Sequence, residues 1–163
     1  RWQPRGADNE LLAAPPMTSP DPSRPAAEVG DQIPAWVMER VDAQRMKTMA
    51  AILRDPYPVH WDRDAVEAMG GGRVVINQGP LNLSYVANML MAWAGDASIR
   101  RLTVRFPAWV VDEDRVVARG RVTEVFDVDG EPRVRCDVVL DRNGESVLVG
   151  TAEVALTTLV DPA

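Results

Sequence analysis

The sequence predicts an α+β domain in which one enclosed helix is wrapped by a curved antiparallel sheet. Three observations carry this. Residues Leu81 to Trp93 are apolar nearly all round, through Leu83, Tyr85, Val86, Met89, Leu90 and Met91, and a helix without a polar face is buried. From Leu102 to Leu156 the chain alternates with period two, the mark of half-buried strands. The runs Asp127-Val128-Asp129-Gly130 and Asp141-Arg142-Asn143-Gly144 break that alternation with hairpin-turn chemistry. Helices come first, a meander last, and no internal repeat is visible.

The elements follow in order. Residues 1–31 are rich in Pro, Ala, Ser, Asp and Arg without periodicity, and read as disordered or loosely attached. Met17-Thr18-Ser19-Pro20 looks like a natural start, which makes residues 1–16 an appended or dispensable leader. A single domain is expected over 32–160. Asp42 is a fitting N-cap for a helix from Ala43 to Leu53, with Met46, Met49, Ala50 and Leu53 on one face. Asp55-Pro56 stops it. Asp62 caps a short second helix, Ala65 to Met69, which the glycines at 70–72 end. Val74-Val75-Ile76 then leads into Asn77-Gln78-Gly79-Pro80, and proline in the first turn opens the long apolar helix. Beyond it, Leu102, Val104 and Phe106 face one way while Arg101, Thr103 and Arg105 face the other. Val116 to Phe126, Val134 to Leu140 and Val147 to Leu156 are long strands.

Composition narrows the function classes. At 163 residues, 46% hydrophobic and 26% charged, the chain can fill a core of its own and is no disordered polymer. Its net charge of −6 argues against a nucleic-acid binder. The positive charge is almost all arginine, with Lys47 the only lysine. Clusters such as Arg100-Arg101 and Arg105 could hold an anionic ligand, although a solvated strand face explains each as well. Cys136, the sole cysteine, permits no internal disulfide or zinc ribbon and reads as a small core residue. With one histidine and no carboxylate cluster, neither metal nor other cofactor is expected. No apolar run reaches the ~18–20 residues of a membrane span. No signal-peptide pattern is seen either, so a cytoplasmic protein is expected.

The chemistry-bearing segment is Arg54-Asp55-Pro56-Tyr57-Pro58-Val59-His60, which holds the only histidine. Each proline fixes its own φ and drives the preceding residue out of the helical region. The result is a short, stiff loop presenting one acid and one base, the pair that proton transfer near neutral pH requires. A chance acid beside a surface histidine is the plain alternative.

With this motif, the layout resembles the hotdog fold and, within it, the MaoC-like, (R)-specific enoyl-CoA hydratase/dehydratase family. The resemblance runs from about Val29 to Leu159. The family's Gly-Asp-x-Asn-Pro-apolar-His run, acid, alanine and helix-opening glycine are matched by Asp55, Pro58, Val59, His60, Asp62, Ala65 and Gly79. Arg105-Phe106 and Gly150-Thr151-Ala152-Glu153-Val154 look like the family's first and last long strands. Two positions depart from the pattern. The glycine before the aspartate is Arg54, and the asparagine that helps shape the family's catalytic loop is Tyr57.

The resemblance implies an enzyme that hydrates 2-enoyl thioesters of coenzyme A or an acyl-carrier protein, or dehydrates the 3-hydroxyacyl product. Asp55 and His60 would hold and activate water, and the Gly79 N–H would steady the thioester oxygen. Gln78, Asn82 and Tyr57 are candidates for lining the site, though Gln78 and Asn82 could equally cap the helix. A thioesterase is disfavoured because residues 79–95 contain no Asp or Glu. An isomerase or cyclase acting on a thioester or polyketide would use the same pair. Arg54 and Tyr57 also motivate a non-catalytic or half-site acyl-binding subunit of a heteromeric hydratase. A lone hotdog leaves a sheet edge and half a ligand groove open, so a homodimer or higher assembly is expected.

Overall fold

The computed structural model describes residues 27–156. The expected leader over 1–16, most of the loosely attached segment and residues 157–160 of the expected domain lie outside them. In chain order the elements are β1 (Gln32–Met38), α1 (Ala43–Leu53), a 3-10 turn (Pro58–His60), α2 (Arg63–Ala68) and α3 (Gly79–Ala94). There follow β2 (Ile99–Arg105), β3 (Val116–Val128), β4 (Glu131–Arg142) and β5 (Glu145–Ala155). All five strands form one antiparallel sheet in the order β1-β3-β4-β5-β2. This is the α+β hotdog arrangement, a sheet packed around a central helix.

The meander forms where its turns dictate. Asp129 and Gly130 in one loop, and Asn143 and Gly144 in the other, all take positive φ. Two such residues in succession give the hairpin twist that matches the strands. Each loop is tied by its leading aspartate: Asp127 Oδ1 accepts the Gly130 N–H at 2.7 Å, and Asp141 Oδ1 that of Gly144 at 3.1 Å.

One sheet face carries Ala118, Val122, Cys136, Val138, Leu148 and Val154 into a common core with Tyr85, Val86, Met89 and Leu90 of α3. Full burial of such a side chain contributes about 1.5–3 kcal/mol, so this interface dominates the stability of the fold. In α3 only Pro80 and Ala92 are exposed, as the all-apolar pattern requires. The helix approaches closely at Gly120, where a methyl group would press on Ile33 at 2.7 Å and Met89 at 3.1 Å. At Gly150 a side chain would run into the Thr103 carbonyl of β2. Cys136 is fully buried, and burial pushes its thiol up to about 12, with the Asp137 charge adding to the effect.

Two elements differ from the sequence reading. β1 had no visible signature because it is an edge strand, paired with β3 alone, with one buried residue, Ile33. Its register shifts between Ile33 and Trp36, where Pro34 falls, and such irregularity is tolerated only at an edge. β2 stops at Arg105, and Phe106 leaves the core face to stand 47% exposed. Among the described residues no helix is long and apolar enough to cross a membrane.

Candidate active site

The proline-braced loop begins where α1 runs out. Asp42 caps that helix through a 2.9 Å bond to the Gln44 N–H, and Arg54 ends it in the left-handed region, at φ 52° and ψ 41°. Glycine is the usual residue for this conformation, because a Cβ there costs roughly 1–2 kcal/mol. Arg54→Gly is therefore expected to raise the melting temperature by a few degrees, read by circular dichroism. An unchanged or lower value would show that the arginine side chain compensates.

The bend delivers Asp55 next. Its Oδ1 accepts the Tyr57 N–H at 3.0 Å, an aspartate turn that leaves Oδ2 free. Tyr57 is extended, and Pro58 starts the 3-10 turn that ends at His60. Val59 anchors this turn in a small apolar cluster with Val66 and Ile76. Two hydrogen bonds then fix it against one residue: the Ile76 N–H donates to Val59 O at 2.8 Å, and His60 Nδ1 to Ile76 O at 2.7 Å. A carbonyl only accepts, so Nδ1 carries a proton, and the neutral tautomer compatible with this bond has its lone pair at Nε2. That nitrogen lies 3.5 Å from Asp55 Oδ2, with the two side chains 13% and 30% exposed. Two acceptors this close, partly shielded but reachable, suit a single water donating one hydrogen to each.

Ile76 also sets the distance to α3. Ile76 bridges to Val111, and the Asn77 N–H donates to Val110 O at 2.7 Å. Beside them Asp112, 5% exposed, accepts the Val75 N–H at 2.9 Å through Oδ1 and pairs with Arg63 through Oδ2. Arg63 in turn donates to the Arg73 carbonyl at 2.9 Å. One buried carboxylate thus joins α2, the segment before α3 and the 110–112 loop. Nothing in the sequence marks Asp112, because its partners lie 37 and 49 positions away.

Gly79 is the first residue of α3, and its N–H meets no acceptor among the described residues. It stands at the positive end of the helix dipole. The Phe106 ring covers it, 3.4 Å from where a side chain would begin. Neither neighbouring amide side chain caps the helix. Gln78 Nε2 donates to Met46 O at 2.8 Å, and Asn82 Oδ1 accepts from Asn77 Nδ2 at 2.6 Å. Both Gln78 and Asn82 are buried at the foot of α3, where the Asn77 and Gln78 side-chain oxygens find no donor among the described residues. Tyr57 is half-exposed, with its ring edge-on to His60 at 6.0 Å and its hydroxyl donating to Met69 Sδ at 3.8 Å. Trp61, 44% exposed, lines an open hollow of about 600 Å³ with Arg54 and Asp55, whereas Trp93 belongs to the core. Among the described residues no three His, Cys, Asp or Glu side chains gather to hold a metal.

A family profile described as "MaoC like domain" matches residues 25–143, most of the chain. No curated protein matches the sequence. Among solved structures, the (R)-hydratase from A. caviae involved in PHA biosynthesis is 24% identical with a TM-score of 0.69, over 81% of this chain and 98% of that one. The R-hydratase PhaJ1 from Pseudomonas aeruginosa is 25% identical with a TM-score of 0.67, over 78% and 81%. A chain of the ChsH1-ChsH2 complex from Mycobacterium tuberculosis is 22% identical with a TM-score of 0.71, over 81% and 100%.

Proposed function

The chain belongs to the MaoC-like dehydratase domain family, and on that premise we propose that it adds water across the double bond of a 2-enoyl thioester, or removes it from the 3-hydroxyacyl product. The observation that carries the reading is the convergence of His60 Nε2 and Asp55 Oδ2 at 3.5 Å, with Nδ1 engaged on Ile76 O. Water held between them gives one proton to the pair as its oxygen bonds to the β-carbon. The displaced π electrons move onto the thioester oxygen, where the free Gly79 N–H and the helix dipole stabilise the charge. The pair then returns a proton to the α-carbon, and dehydration runs the same steps backwards. The reading carries a cytoplasmic site of action, a coenzyme A or acyl-carrier thioester as substrate, and a homodimer that closes the groove.

A second reading has an observation of its own. Tyr57, Trp61, Phe106 and Trp109 are all about half-exposed, and the first three border the site. Such a rim awaits a covering surface, and a companion chain would make this protein one part of a heteromeric hydratase. One assay separates the two. The purified chain is given short, long and bulky 2-enoyl thioesters, and loss of enoyl absorbance is followed. Turnover by the chain alone supports the first reading. Inertness on every length, with activity restored by a companion chain, replaces it with the second.

A further inference from the structure

The sheet face turned away from α3 carries a groove of about 790 Å³ that shares no lining residue with the hollow beside Asp55. Arg105, Arg119 and Arg121 line it. Most arginines among the described residues hold a carboxylate within 4 Å, as Arg63, Arg100, Arg133 and Arg142 do. The three in the groove hold none, although the chain as a whole carries a charge of −6. The groove's one carboxylate, Asp137, stands directly across from Arg121 on the neighbouring strand. The groove therefore keeps a local charge of about +2 that no other carboxylate among the described residues pairs with.

The register places these charges. Arg119, Val139, Val149 and Arg105 succeed one another across β3, β4, β5 and β2. At roughly 4.8 Å per strand, the two arginines are about 14 Å apart at their backbones, while Arg119 and Arg121 are only about 7 Å apart along β3. Half-buried Val139 and Val149 form an apolar floor between the charged ends. A second copy stacked on this face would bring like charge to like charge and desolvate guanidiniums without partners, which is strongly unfavourable.

We infer that this groove is a binding site for a small phosphoanion of nucleotide type. One phosphoryl group lies in the fork of Arg119 and Arg121, the body rests on the two valines, and a second anionic group reaches Arg105. Guanidinium forks match phosphate oxygens bidentately, and no side chain of the Asp55–His60 site takes part. The site is independent of the proposed chemistry.

Calorimetric titration with adenosine 3′,5′-bisphosphate tests it, with inorganic phosphate as the one-group comparison. The expected result is saturable 1:1 binding, at least about tenfold tighter for the bisphosphate, and weakened about tenfold or more in Arg119→Ala and Arg121→Ala. Asp137→Asn removes the opposing charge and is expected to tighten binding. Arg40→Ala deletes a surface charge elsewhere and should leave affinity unchanged. Absence of saturation, equal affinity for the two probes, or equal weakening by Arg40→Ala would overturn the assignment.

Discussion

Asp55→Asn and His60→Ala are each expected to lower hydration of a 2-enoyl thioester by ~10²–10⁴-fold, the usual loss for an acid/base partner. The reason is geometric. Asparagine keeps the shape of the carboxylate and the oxygen that accepts from Tyr57, but has no charge to draw a proton from water. Alanine at 60 removes the ring nitrogen that faces Asp55 and leaves the Ile76 carbonyl without its donor. A lost hydrogen bond of that kind costs about 1 kcal/mol, which a core built on α3 tolerates. Melting curves should therefore stay near wild type while turnover collapses. Because the two groups act on one water, the double variant should be little worse than either single one. Wild-type rates in either variant would take the pair out of the chemistry.

Asp112→Ala should have the largest effect on the fold. It strands the buried Val75 N–H and deprives Arg63 of its carboxylate partner, leaving it only the Arg73 carbonyl. Arg63 is nearly half exposed and can turn to solvent, so the loss is set on the order of 3 kcal/mol rather than higher. For a chain of this size that lowers the melting temperature by about 6–12 °C. Asp112→Asn, which retains an acceptor for Val75, should lose roughly half as much. The site should feel the change as well. Val75 lies next to Ile76, whose carbonyl fixes the His60 tautomer, so a slack segment lowers kcat more than it raises KM. A melting point unchanged in Asp112→Ala would mean that the carboxylate bears no load.

The extent to which the chain announces this architecture varies by element. α1 is bounded by Asp42 and an abrupt Asp-Pro stop, so Ala43–Leu53 is readable residue by residue. The two hairpins are equally plain, because Asn-Gly and Asp-Gly pairs favour the positive φ values that such turns need. Edge strand β1 is illegible: one buried side chain in seven positions leaves no period to detect. Phe106 follows the alternation of β2 in sequence yet departs from it in space, since its ring is drawn over Gly79 rather than into the core. Gln78 and Asn82 have the right chemistry for caps, but buried partners on α1 and beside α3 claim them instead.

What the sequence determined by itself is local. It set the proline-braced bend with its acid and base, the helix-opening glycine, the turn positions and the helix too apolar to meet water. Those are consequences of backbone sterics and of hydrophobic period, both of which act over a few residues. Tertiary structure decided which groups meet. The Ile76 carbonyl chooses the imidazole tautomer, Asp112 ties three distant segments together, and β-sheet register gathers on one face three arginines that pair with no carboxylate among the described residues. Such contacts span tens of residues and are fixed only when the core closes around α3, which no local pattern encodes.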